Sequence, residues 1–93
     1  MEDETVKIEL TDEIDLHPFQ PGDVKYILRA FIDNAREKGY KRLRIAHGKG
    51  QSVVKNIVIN ELGRDDLVAS FKDEPGNWGA TIVILKQTET RLF

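Results

Sequence analysis

This 93-residue chain contains two histidines, and each stands beside residues able to act on or hold an anion. Asp15 and His17 are two apart, so in an extended strand both side chains point to one face. His47 opens the run His47-Gly48-Lys49-Gly50. An imidazole titrates near neutral pH and can take or give a proton, and a neighbouring carboxylate can orient it. Gly48 and Gly50 permit positive φ and a close backbone approach. A helix after such a turn offers unpaired N–H groups and the positive end of its dipole, and Lys49 adds a full charge. Phosphate is the guest these features suit. The run is not a Walker A loop, because no glycine stands five positions before Gly48.

Elements must exist to bring these residues together. Alternation over residues 6–10 reads as a short strand or an arm. Residues 14–17 form a second extended run, stopped by Pro18. Val24, Ile27, Leu28, Phe31, Ile32 and Ala35 fall at helical spacing. Pro21-Gly22-Asp23 starts that helix and Gly39 stops it. Residues 43–47 read as a strand. Val53, Val54, Ile57, Val58 and Leu62 mark a second helix ended by Gly63, and residues 67–73 a third strand. Residues 74–79 read as a turn-rich loop. Residues 80–86 form the most apolar strand, expected to be central.

The implied fold class is α/β (an α+β sandwich), two-layered and ordered β-α-β-α-β-β. Its mixed four-stranded sheet carries both helices on one face. Helical crossovers make the early strands parallel, and the short last connection makes the final pair an antiparallel hairpin. Residues 1–12 are read as an N-terminal strand or arm, 13–86 as the domain and 87–93 as a tail. Parallel strands end at one edge of a sheet, where open α/β folds place ligands. Asp15, His17 and His47 are therefore expected to meet there.

Composition narrows the function classes. With no cysteine, disulfides, thiolate metal sites and a cysteine nucleophile are excluded. No apolar run approaches the roughly 18 residues of a membrane helix, and the acidic start lacks the pattern of a signal peptide. The expectation is a cytoplasmic domain without a membrane partner. Net charge is -2, but its distribution is uneven. Acids crowd the start, whereas Lys38, Lys41, Arg42, Arg44, Lys49 and Lys55 lie in a stretch with no acid between Glu37 and Glu61. Such a block can present a positive surface to nucleic acid. Strand alternation sends Arg42 and Arg44 to one side, where they can track phosphates, and Lys41 to the other. Trp78, flanked by glycine-rich sequence, can stack on a base.

Three ordered motifs carry a family resemblance. Ile14-Asp15-Leu16-His17 resembles the Leu-Asp-Leu-His motif of Smr (small MutS-related) domains, and His47-Gly48-Lys49-Gly50 resembles their His-Gly-x-Gly motif. Gly76-Asn77-Trp78-Gly79-Ala80-Thr81 is similar to their Gly-Gly-x-Gly-Ala-Thr motif. The match spans about residues 14 to 86. Pro18 stands where the family usually has glycine, Asn77 replaces the second glycine of the third motif, and Lys55 stands for an arginine in the second helix. The resemblance implies a fold similar to the C-terminal domain of translation initiation factor 3. It also implies endonuclease activity: DNA nicking or RNA cleavage.

For RNA, the 2′-hydroxyl supplies the nucleophile. One histidine would then be base and the other acid, with Asp15 orienting an imidazole and Lys49 and the glycine amides stabilising the phosphorane. For DNA, water attacks, and Asp15, His17 and His47 could hold a divalent ion such as Mg²⁺ to activate it. The sequence requires no cofactor and does not choose between these routes. The departures motivate an alternative, a non-catalytic nucleic-acid-binding or protein-interaction module attached to a larger protein. Oligomeric state is open, with a monomer expected for the isolated domain.

Overall fold

The computed structural model describes residues 11–50 and 52–86. Six elements follow one another: β1 (Thr11–Asp15), α1 (Pro21–Glu37), β2 (Arg42–Ala46), α2 (Ser52–Arg64), β3 (Val68–Glu74) and β4 (Asn77–Leu85). The strand or arm expected over residues 6–10 and the tail over 87–93 lie outside the described residues.

Pro21 occupies the first turn of α1, where its missing N–H costs nothing. Asp23 in that turn and Arg36 in the last complement the helix dipole. Val24, Leu28, Ile32 and Ala35 are the buried stripe. The helix stops at Gly39 as expected, and the Tyr40 N–H donates back to the Ala35 carbonyl at 3.0 Å. In α2 the stripe is Val54, Val58 and Leu62. This helix runs one residue past Gly63, the expected stop. The turn beyond it is set by Asp65, whose Oδ1 accepts the Leu67 N–H at 2.9 Å.

The sheet order is β1-β2-β4-β3. Strands β1 and β2 are parallel, whereas β4 is antiparallel to both β2 and β3. The mixed sheet, the central place of β4 and the final hairpin agree with the sequence. Leu43 and Ile45 of β2, Val83 and Leu85 of β4, and both helix stripes share one core cluster, so both helices cover one face. Each fully buried Leu, Ile or Val contributes about 1.5–3 kcal/mol over exposure. The polar partners of Leu43 and Ile45 on β2, Arg42 and Arg44, face the uncovered side.

The connection between β3 and β4 departs from expectation. Instead of a six-residue loop, only Pro75 and Gly76 separate the strands, and Glu74 is in register with Asn77. Proline at the first central position and a φ of 76° at Gly76 are the combination a type II turn requires. A register shift between Asp73 and Glu74 accompanies it. Asn77, Trp78 and Gly79 thereby belong to β4: Asn77 pairs with Glu74, and the Gly79 carbonyl accepts from His47 and Gly48. No described helix is long and apolar enough to cross a membrane.

Candidate functional site

The ends of β1 and β2 do meet at one sheet edge. Asp15 is in register with Ala46, and the Leu16 N–H continues the ladder to the Ala46 carbonyl at 2.8 Å. His17 therefore lies beside the start of the His47-Gly48-Lys49-Gly50 turn. Strand β4 runs the opposite way, so its first residues join the same edge.

His47 is not exposed at that edge. It continues the inward parity of Leu43 and Ile45, and its side chain is 0% exposed. Its Nε2 lies 2.9 Å from Thr81 Oγ1, and its Nδ1 lies 3.5 Å from the Gly48 carbonyl. Burial pushes the imidazole pKa below its ordinary 6.5. The Gly48 carbonyl acts in the opposite direction, nearby Lys55 lowers it further, and Asp73 raises it. The group is thus a neutral imidazole with both nitrogens facing protein acceptors or donors. Among the described residues no hydrogen bond or ion pair joins it to His17. The expected sharing of acid and base duties between two histidines at one surface is not the arrangement found. The reason is the period of two, which turns His47 to the helices.

Asp15 and His17 are a surface pair. Asp15 Oδ1 accepts the His17 backbone N–H at 3.0 Å, and Asp15 Oδ2 lies 3.6 Å from His17 Nδ1. The side chains are 61% and 65% exposed. The carboxylate faces Nδ1, which leaves Nε2 on the side of the ring away from Asp15. Asp15, His17 and His47 are the residues from which the sequence could build a site for a metal ion. Among the described residues no three His, Asp or Glu side chains are grouped to hold one, because His47 is turned away.

The glycine turn rests on β4. The His47 and Gly48 N–H groups both donate to the Gly79 carbonyl, at 2.8 and 3.0 Å. Gly48 has φ 87°, a conformation glycine adopts without strain; Gly50 is not in that region. With its amide committed to the Gly79 carbonyl, Gly48 shapes the turn and does not offer its N–H to an anion. A Cβ at Gly79 would lie 2.9 Å from Lys49 Cγ and 3.2 Å from Lys49 N. The absence of a side chain there lets the turn pack. Lys49 Nζ sits 4.6 Å from the centroid of the Trp78 ring, within cation–π range.

The remaining basic candidates are differently placed. Lys55 of α2 pairs with Asp73 Oδ1 at 3.1 Å and donates to the Trp78 carbonyl at 3.4 Å. It ties α2 to the hairpin rather than standing ready for phosphate. Arg44 is clamped by Glu74 through two 2.9 Å bonds, from Nε and Nη2, with Glu13 at 3.5 Å. The hydrogen bonds from Arg44 hold the Glu74 carboxyl below its usual range. Arg42 is exposed on the same open face, but at the far end of β2, roughly 13 Å from Ala46. It lines, with Lys72, a groove of about 380 Å³ walled in part by Ile82 and Ile84. Arg42 and Arg44 thus share a side as expected, and neither belongs to the glycine turn.

Sequence reasoning missed the partners. Thr81 closes His47, Asp73 holds Lys55 and Glu74 holds Arg44. Asn77 accepts the Gly79 N–H at 2.9 Å and donates to Glu74 at 3.0 Å. Thr81 carried a signal, since it ends the third motif and its parity on an inner strand points it to the core.

A profile of the Smr domain matches residues 14–86. Endonuclease MutS2 of Thermus thermophilus is 32% identical over 77 residues, which are 80% of this chain and 10% of that protein. Endonuclease MutS2 of Caldicellulosiruptor saccharolyticus is 39% identical over 59 residues, 60% of this chain and 8% of that protein. The chain thus spans about a tenth of the length of these curated relatives. The crystal structure of the Smr domain of Thermus thermophilus MutS2 aligns with a TM-score of 0.78 at 32% identity, over 82% of this chain and 99% of that one. YdaL, a stand-alone small MutS-related protein from Escherichia coli, aligns with a TM-score of 0.76 at 25% identity, over 81% of this chain and 64% of that one.

Proposed function

The chain belongs to the Smr domain family, and on that premise we propose that it is a nucleic-acid-binding domain that cleaves phosphodiester bonds as an endonuclease. The observation that carries this reading is the exposed Asp15–His17 pair at the edge shared with the glycine turn. Asp15 fixes the imidazole through Nδ1. Nε2, on the side of the ring away from Asp15, takes a proton from the attacking oxygen, a ribose 2′-hydroxyl in RNA or a water in DNA. Lys49, on the turn at the same edge, holds the bound strand through its phosphates. His47 is a positioning residue, since its bond to Thr81 and its backbone bond to Gly79 hold the strand from which the turn departs. The proton for the leaving oxygen comes from solvent or from His17 returning it. The reading uses no metal held by this chain. Mg²⁺ remains a co-reactant to be assayed.

The buried state of His47 favours a second reading, a binding domain that does not cut. The test is incubation of the domain with end-labelled single-stranded RNA and with supercoiled DNA, with Mg²⁺ or with EDTA, beside a His17→Ala variant. Cleavage that the variant loses supports the nuclease, and the favoured substrate and metal dependence identify the attacking group. Retention of either nucleic acid without cleavage establishes the second reading.

A further inference from the structure

We infer that Trp78 and Lys49 form a clamp for one unpaired nucleotide. Its base stacks on the indole, while the Lys49 ammonium moves from the ring to the adjoining phosphate. This rests on the nucleic-acid reading above and deepens it, naming the substrate class as single-stranded or locally unpaired nucleic acid.

Trp78 is 55% exposed, although a ring of that size gains most by burial. It is held on a strand, not on a loose loop. Its carbonyl accepts from Lys55, and the next N–H donates to Asn77, which in turn donates to Glu74. These bonds hold the backbone that carries the ring, so the stacking surface is presented at a set place and only the side-chain torsions must be ordered on binding. It also walls a shallow groove of about 380 Å³ shared with Pro75, Gly76 and Asn77, which gives a stacked base room beside the ring. The acids of that groove do not present free charge to a strand, since Asp73 is paired with Lys55 and Glu74 with Arg44.

Lys49 supplies the second half. Its ammonium lies over the ring, 4.6 Å from the centroid. An exposed cation–π contact is worth a factor of about 2–5 in an equilibrium. Stacking of a base on an aromatic ring is worth about 5–150. Exchange of ammonium for base is therefore favourable, and the flexible lysine stem carries the charge to the phosphate that arrives with the base. A duplex hides its base faces within its own stack, so it cannot make this exchange. Strands β1, β2 and β4 are neighbours in that order. The clamp on β4 thus lies two strand spacings, about 10 Å, from the β1 edge that bears His17. A strand held by the clamp is within short reach of that residue.

Trp78 is the only tryptophan of the chain, so its emission reports directly on the ring. The full chain is titrated with oligouridylate and oligothymidylate of about ten nucleotides, a size suited to one small domain. An abasic strand of equal length and a duplex complete the set. Binding is followed separately by anisotropy of a labelled strand. Both base-bearing single strands are expected to bind and quench Trp78; quenching by one alone supports the clamp and shows that it selects between the two nucleotides. The abasic strand binds about 5–150-fold more weakly without quenching, and the duplex does not quench. Trp78→Leu loses the same factor at unchanged melting temperature, and Trp78→Phe recovers part of it. Anisotropy that rises equally for abasic and base-bearing strands, or rises without quenching, overturns the clamp and leaves the nucleic-acid reading standing. No binding of any strand overturns both.

Discussion

His47 Nε2 and Thr81 Oγ1 lie 2.9 Å apart beneath the helices, with both side chains sealed from solvent. Burial holds the folded imidazole pKa below 6.5. The unfolded chain therefore takes up a proton that the folded chain resists. The stabilisation is fully present above 6.5 and is lost as pH falls through the lower folded value. Thermal midpoints are expected to be level above about pH 7 and to decline as pH falls below 6.5. His47→Gln removes that decline. The Glu74 contribution is lost only as pH falls below 4.5, so the decline that begins at 6.5 belongs to His47. A midpoint that does not change over this range would refute the buried neutral state.

Thr81→Val keeps the shape of the side chain and removes its hydroxyl, leaving a buried imidazole nitrogen without a partner. The expected loss is about 1–3 kcal/mol. Urea denaturation reads it as a lower midpoint at unchanged slope.

At Gly79 a methyl group meets both the side chain and the backbone of Lys49. The lysine side chain can swing away, but the Lys49 amide at 3.2 Å cannot move without shifting the turn. Gly79→Ala is expected to cost about 1–3 kcal/mol and to change Trp78 emission, because the ammonium leaves the ring. Wild-type stability and emission would mean that the turn does not depend on this contact.

The salt dependence of binding separates two cations that composition alone treats alike. Lys49→Gln is expected to reduce the slope of log K against log salt by about 0.7–0.9. Arg44→Gln is expected to leave the slope unchanged and to lower the melting temperature, because Arg44 is already paired with Glu74. Equal loss of slope in the two variants would place Arg44 on the strand's path.

Removal of the His17 imidazole is expected to reduce cleavage by about 10²–10⁴-fold. The fold should persist, since the side chain is mostly exposed. Asp15→Asn keeps the size and loses the charge that faces Nδ1, so its rate should fall between those of wild type and His17→Ala. Single-turnover cleavage with circular dichroism of both variants checks this.

The layout was legible where pattern and chemistry agreed. The α1 stripe, the order of elements and the pairing of β1 with β2 follow from spacing and from Pro18, Pro21 and Gly39. Strand β1 begins at Thr11, earlier than read, because its first residues are polar on an edge where little needs to be apolar. The loop expected at 74–79 failed because Asn77 and Gly79 are turn residues by composition, whereas Pro75-Gly76 already completes the reversal. The inward turn of His47 is encoded in strand parity. Leu43, Ile45 and His47 share one parity, and Arg42, Arg44 and Ala46 share the other. Counting in twos from Ile45 sends the imidazole inward. The partners Asp73, Glu74 and Asn77 could not be read, because their roles depend on cross-strand register and on a register shift that no local pattern encodes.

The strand order also governs how the domain is made. Strand β4 is the last described strand in the chain, yet it lies between β2 and β3 and pairs with both. During synthesis, β1 and β2 can join early, but β3 has no neighbour until Asn77–Leu85 leaves the ribosome. Closing the sheet therefore requires contacts distant in sequence, which slows folding. A nascent chain stalled before Asn77 would expose the apolar underside of both helices and two unfinished strand edges, a substrate for chaperones rather than a partial domain.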